Sequence, residues 1–72
     1  MKKYVLTEEL VEALSALDDE ISAVMVATTN IVNSDEVEDD DLGDLEYIMG
    51  RVIEAWEEVK KVERVEVEND NV

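Results

Sequence analysis

Apolar residues recur along the first half of the chain at alternating intervals of four and three residues. The series is Leu10, Leu14, Leu17, Ile21, Val24, Thr28 and Ile31. Such spacing places one apolar stripe on an α-helix that packs against a neighbouring helix. Thr7 is a suitable N-cap, and the two glutamates after it suit the positive end of a helix dipole. The pattern predicts a first helix over about residues 7–32.

A second series with the same spacing follows: Leu42, Leu45, Met49, Val52, Trp56 and Val59. It predicts a second helix over about residues 42–64, with Asp41 as candidate N-cap and Trp56 in the core. Gly50 lies inside this helix, where glycine costs about 1 kcal/mol relative to alanine. A close approach of another backbone at Gly50 is therefore expected.

Residues 33–41 read NSDEVEDDD, a turn-forming and mutually repelling run that predicts an acidic loop. Because the loop is short, the two helices should lie antiparallel. The predicted fold class is all-α, with the whole chain forming one two-helix hairpin domain. Valines alternate with glutamates after Arg64, so a short strand pairing with residues 2–6 is an alternative to a frayed tail.

The segment Ile21–Ser34 contains no charged residue, although 38% of the chain is charged. We expect it to be the most deeply buried part of the molecule. Its β-branched portion, Val24–Val32, leaves a strand as the alternative. A single neighbouring helix cannot cover all of its apolar positions. The sequence therefore predicts that two hairpins form a homodimeric four-helix bundle, with these interface residues: Met25, Val26, Val32 and Ile53.

The chain carries 21 acidic and 6 basic residues, a net charge of −15. Nucleic acid and anionic membranes repel such a surface, so basic proteins or divalent cations are the expected electrostatic partners. The longest uncharged run has 14 residues, too short for a membrane span, and the N-terminus resembles no signal peptide. These features favour a soluble, cytoplasmic protein.

The residue inventory offers little catalytic chemistry. Histidine and cysteine are absent, which removes the usual general base, thiolate zinc sites and disulfides. The acidic loop fails the helix–loop–helix calcium motif: counted from Glu38, Leu42 and Met49 stand where ligands are required. We predict no catalytic residue, metal site or cofactor, and weak cation binding by the loop stays open.

Two acidic pairs, Glu9 with Glu12 and Asp41 with Asp44, resemble the paired E-x-x-E and E-x-x-D motifs of all-α nucleotide pyrophosphohydrolases. The second pair departs from the family pattern because it begins with aspartate. In a hairpin the pairs would lie roughly 30 Å apart, so they could meet only across an antiparallel dimer. A metal-dependent hydrolase is therefore a third hypothesis.

In its small size, strong acidity and lack of cysteine and histidine, the chain resembles inhibitors encoded by phages and other mobile elements, including anti-CRISPR and DNA-mimic proteins. The resemblance implies a non-enzymatic protein that occupies the basic surface of a nucleic-acid-handling protein. The predicted partner-binding residues are Asp35, Glu36, Glu38, Asp39, Asp40, Asp41, Asp44 and an exposed Tyr47. The alternative is a structural or adaptor oligomerisation module that binds through its apolar face.

Overall fold

The computed structural model describes residues 1–68, which form two antiparallel helices joined by a short loop. Helix α1 spans Glu8–Val32 and helix α2 spans Asp39–Lys61. The molecule is elongated, with principal extents of 60 × 20 × 18 Å. The predicted all-α hairpin is confirmed. The strand alternative for Val24–Val32 is wrong, because this segment continues α1 without a break.

Helix α1 begins where the sequence predicts. Thr7 is extended, and its side-chain oxygen accepts a hydrogen bond of 3.2 Å from the backbone N–H of Leu10. This bond satisfies one of the backbone donors that a helix leaves unpaired in its first turn. At the other end, the Asn33 N–H donates to the carbonyl of Thr29 at 3.0 Å. The cap therefore sets the first boundary locally.

Helix α2 begins earlier than predicted, and Asp41 is not its N-cap. Glu38 is the capping residue, and its backbone N–H donates to Oδ2 of Asp41 at 3.2 Å. Asp39, Asp40 and Asp41 form the first turn. Their charges repel one another, but the positive end of the helix dipole stabilises them, so the acidic run enters the helix. The loop is accordingly shorter than expected and comprises residues 33–38.

Helix α2 ends at Lys61, earlier than the predicted residue 64. The next residue, Val62, is extended, with φ −65° and ψ 134°. From there the chain runs beside the N-terminal segment. The extended backbone at Val62 ends the helix and directs the chain towards that segment.

The two ends of the described chain pair instead of fraying. The Val5 N–H donates to the Val65 carbonyl at 2.6 Å, and the Val67 N–H donates to the Lys3 carbonyl at 2.9 Å. The pairing amounts to an isolated antiparallel bridge between Tyr4 and Glu66, with no named strand in residues 1–68. The predicted alternative of terminal strands is thus realised only as a single bridge.

The contact between the helices follows a stripe of half-buried residues, called the seam here. On α1 the seam consists of Leu10, Ala13, Leu17, Glu20, Val24, Ala27 and Ile31. On α2 it consists of Asp41, Leu45, Ile48, Val52, Ala55, Val59 and Val62, the last being the C-cap. The seam agrees with the predicted series at alternate positions. At the positions between them, the seam residue lies one place earlier in the sequence than predicted. Trp56, predicted to be core, is 47% exposed.

No residue in the described part of the chain is fully buried. The uncharged segment is no exception, since the exposed fractions of Met25, Val26 and Val32 are 64%, 62% and 74%. Its expected deep burial is wrong for the hairpin. A helix in a two-helix layer has one neighbour, and one neighbour covers one stripe. Ile53 on α2, 58% exposed, is uncovered for the same reason.

No backbone approaches Gly50 closely within the described residues. A Cβ built on this glycine meets no atom within 4 Å, apart from its chain neighbours and the nearby backbone of α2 itself. The expected close approach is therefore absent from the hairpin. Glycine at this position only loosens the helix.

We expect the substitution Gly50→Ala to raise the free energy of unfolding by about 1 kcal/mol, because alanine loses less conformational entropy in a helix. Urea titration followed by circular dichroism measures the change. The matched control is Ala16→Gly at an exposed position of α1, which should lower stability by a similar amount. Destabilisation by Gly50→Ala would show instead that another molecule packs against this position.

Candidate functional site

Seven carboxylates lie at the loop end of the hairpin and form what we call the acidic tip. They are Asp35, Glu36, Glu38, Asp39, Asp40, Asp41 and Asp44. All except Asp41 are exposed. The ion pairs found within residues 1–68 are Glu20–Arg51, Glu57–Lys60 and Glu58–Lys61, and none of them reaches the acidic tip. Its charge is therefore uncompensated inside the hairpin.

Ser34 fixes the course of the loop. Its Oγ lies 2.7 Å from the carbonyl oxygens of both Ile31 and Glu36, so its hydroxyl hydrogen can be donated to either one. Its backbone N–H donates to the Ile31 carbonyl at 3.1 Å. These bonds fold the loop back over the end of α1. As a result, Glu36 and Glu38 of the loop line the same groove as Asp41 and Asp44 of α2.

Half of the predicted partner-binding residues share one groove, where α1 ends and α2 begins. The groove is lined by Glu36, Glu38, Asp41 and Asp44 together with Ala27, Asn30, Ile31 and Ser34. Asp35, Asp39 and Asp40 do not line it and are exposed. Tyr47, 67% exposed as predicted, lies in a different groove along the outer side of α2.

The acids of the first turn of α2 have a structural role. Negative charge in the first turn of a helix contributes about 0.3–1 kcal/mol per group at exposed positions. Asp39, Asp40 and Asp41 occupy that turn. The remaining acids of the tip lie before the helix or beyond its first turn. A binding role is therefore best tested outside the first turn.

One strong polar contact escaped the sequence analysis. Arg51 donates from Nε to Oε2 of Glu20 at 3.0 Å and from Nη2 to Oε1 at 3.0 Å, a bidentate pair between the helices. The Glu20 side chain is 22% exposed and that of Arg51 is 51% exposed. The available signal was spacing, since Glu20 continues the series Leu10, Ala13, Leu17.

This pair alters the titration of both groups. The hydrogen bonds from Arg51 lower the pKa of Glu20 below its ordinary value of 4.5, and the positive charge of Arg51 acts in the same direction against partial desolvation. The same hydrogen bonds raise the pKa of Arg51. The Glu20 carboxylate is therefore more stable as an anion in the folded hairpin than in the unfolded chain.

The hairpin does not assemble the pyrophosphohydrolase-like motifs. Glu9 and Glu12 lie at the start of α1, whereas Asp41 and Asp44 lie at the start of α2, at the opposite end of the molecule. Within residues 1–68, no group of three or more acidic side chains is arranged to hold a metal ion. Neither described helix has an apolar stretch long enough to cross a membrane.

Comparison with known proteins adds no relative. No protein-family model, no curated protein and no solved structure matches the chain. The functional argument therefore depends on the geometry and charge of the hairpin alone.

The Glu20–Arg51 pair predicts a specific pH dependence. Because the folded-state pKa of Glu20 is depressed, its stabilising contribution is present above the unfolded-state value near 4.5 and is lost as pH falls through the folded-state value. We expect Glu20→Gln to unfold at lower urea concentration than the wild type at pH 7, with the difference shrinking below pH 4.5. Urea titrations at several pH values measure it.

The control for this experiment is Glu12→Gln, which removes an exposed carboxylate that belongs to none of the described ion pairs. If Glu12→Gln shows the same pH dependence, the loss of stability in Glu20→Gln comes from a change in general charge repulsion. Such a result would contradict a specific contribution from the Glu20–Arg51 pair.

Proposed function

We propose that this protein is a non-enzymatic, acidic inhibitor that occupies the basic surface of a nucleic-acid-handling protein. The observation that carries the proposal is the acidic tip, where seven carboxylates lie together without a basic partner in residues 1–68. A nucleic-acid-binding groove attracts such a surface through the same lysines and arginines that contact phosphates. The proposed mechanism is competition for that groove.

The scaffold supports this proposal by limiting the motion of the charged groups. Asp39, Asp40, Asp41 and Asp44 are helical, and the bonds of Ser34 hold the loop carboxylates beside them. Side chains four residues apart on a helix lie roughly 6 Å apart along its axis. The acidic tip therefore presents a spaced row of negative charges. Such a row can imitate a phosphate backbone better than a disordered acidic tail.

Tyr47 adds an aromatic group to the same side of the molecule. It lies one turn after Asp44 on α2 and is 67% exposed. Tyrosine is enriched among the residues that contribute most to protein–protein binding. Its place beside the acidic tip supports a protein partner, because phosphate mimicry alone does not require an aromatic group.

The second candidate is a structural or adaptor module that binds through apolar residues. The exposed apolar side chains of both helices favour it, including Met25, Val32 and Ile53. In that case the carboxylates act as a solubilising coat. The two functions make opposite predictions for charge removal at the acidic tip, so one experiment separates them.

The decisive variant combines Asp35→Asn, Glu36→Gln and Asp44→Asn, which leaves the first turn of α2 intact, including Asp41 and its bond to Glu38. Proteins from a lysate of the source organism are loaded on immobilised duplex DNA, and the purified protein is used to release them. We expect the wild type to release a DNA-binding protein and the variant to release at least about tenfold less, since several charge contacts are lost.

The matched control combines Glu12→Gln, Asp19→Asn and Glu63→Gln, three exposed acids away from the tip. It changes the net charge equally and should release the target as the wild type does. Equal release by the tip variant would favour the adaptor function. Direct binding that is unchanged in about 0.5 M salt would also contradict mimicry, because exposed charges are screened under those conditions.

A further inference from the structure

The exposed apolar side chains of the two helices form a regular pattern. Apart from Val26 and the aromatic Tyr47, they are Val11, Leu14, Ile21, Met25 and Val32 on α1 and Leu42, Met49, Ile53 and Trp56 on α2. Their exposed fractions lie between 39% and 74%. Each of the nine directly follows a half-buried seam residue in the sequence, as do the polar residues Asp18, Thr28, Glu46 and Lys60 on the same flank. We call these nine residues the apolar face.

Helix geometry places all nine on one side of the hairpin. One residue step turns an α-helix by about 100°, so each stripe lies to one flank of the seam. Viewed from one end, two antiparallel helices turn in opposite senses. A step of one residue along either helix therefore leads from the seam to the same flank of the hairpin. Arg51 directly precedes the seam residue Val52, so its ion pair with Glu20 lies on the other flank.

Val26 does not belong to this face. It lies two steps after the seam residue Val24, on the side of α1 turned away from α2. There it lines a shallow depression with Met25, Thr29 and Asn30. The interface predicted from sequence therefore divides, with Met25, Val32 and Ile53 on the apolar face and Val26 outside it.

The exposed area is larger than a compact monomer of this size requires. The chain exposes 6194 Å², whereas a compact protein of 8.2 kDa exposes about 4,500 Å². The excess of roughly 1,700 Å² exceeds the roughly 800 Å² that each partner buries in a standard interface. Covering the apolar face would also complete the burial of the seam. The hairpin therefore has the surface of one half of a larger bundle.

The distribution of charge favours one direction of stacking for two copies of the hairpin. The end opposite the acidic tip is less acidic, because five of the six basic residues lie there: Lys2, Lys3, Lys60, Lys61 and Arg64. They lie among glutamates, and Glu57 and Glu58 already pair with Lys60 and Lys61. Two hairpins stacked with their loops together would bring two acidic tips into contact. With the loops at opposite ends, each acidic tip instead approaches the less acidic end of the other copy, which reduces the repulsion. Lys60 directly follows the seam residue Val59, so it lies on the same flank as the apolar face, where the acidic tip of the other copy would approach it.

We propose that the apolar face is covered by a second copy of this chain, in a four-helix bundle with the two loops at opposite ends. The inference depends on the apolar face and does not require the proposed inhibitory function. The two layers match in length because each consists of the same two helices, and apolar stripes of this spacing pack as a bundle. The dimer would present its two acidic tips separately, one at each end.

The first test measures the mass of the full chain by light scattering and its melting temperature at several protein concentrations. We expect twice the chain mass of 8.2 kDa and a melting temperature that rises with concentration. Met25→Glu should weaken dimerisation by about 100-fold or more, because two carboxylates would enter an apolar interface. Val26→Glu is the matched control, since Val26 is 62% exposed against 64% for Met25, and it should remain a dimer.

The second test measures the relative direction of the two hairpins in the dimer. The described chain contains no cysteine, so a spin label at Val37→Cys in the loop reports a single distance between the two copies. Loops at opposite ends predict a separation of about 35 Å or more, and loops at the same end predict about 20 Å. The short distance would overturn the proposed direction.

Three further outcomes would overturn the proposal. One is a wild type that stays at 8.2 kDa with a melting temperature independent of concentration. Another is a dimer that Val26→Glu disrupts and Met25→Glu does not. The third is a monomer that binds phosphatidylcholine vesicles and loses that binding in Met25→Glu, which would assign the apolar face to a lipid surface. If Met25→Glu fails to fold, the wild-type mass and the concentration dependence of its melting temperature still decide whether the dimer forms. The label distance still decides its direction.

Discussion

A layer of two helices can cover only one stripe on each helix, and this constraint explains most features of the hairpin. Every seam residue is half-buried because no third element within residues 1–68 lies above or below the layer. Residues one step away from the seam are exposed even when they are apolar, as Met25 and Trp56 are. The hairpin therefore has an interhelical contact but no closed core. Its chemical character is decided by what lies on its two open faces.

The two faces differ because the seam is flanked by different residue types. One flank carries the apolar face, and the other carries the Glu20–Arg51 pair. Glu20 is the only charged residue of the seam on α1, and its carboxylate accepts two hydrogen bonds from Arg51. A neighbouring hairpin can approach the apolar flank without disturbing this pair. The polar flank has no comparable reason to be covered.

Some acids of the acidic tip stabilise the start of α2, whereas others lie where they have no such effect. The first-turn acids stabilise the start of α2 through the helix dipole, and Asp41 also accepts a hydrogen bond from Glu38. Glu36 and Asp44 lie outside that turn yet line the same groove as Asp41. Helix stability therefore does not account for the whole cluster. The proposed inhibitory function depends on the acidic tip and the proposed dimer depends on the apolar face, so one can fail without the other.

The sequence alone determined both helices, their antiparallel arrangement and the cap at Thr7, because these depend on local spacing and nearby side chains. The phase of the seam was decided only by tertiary structure. A repeat of 3.5 residues fits two neighbouring stripes on the same helix, so Ala13 and Leu14 were both compatible with the pattern. Only the packing of α2 against α1 selects Ala13 and Glu20 for the seam and leaves Leu14 and Ile21 on the apolar face. The bridge between Tyr4 and Glu66 likewise depends on the hairpin bringing distant segments together.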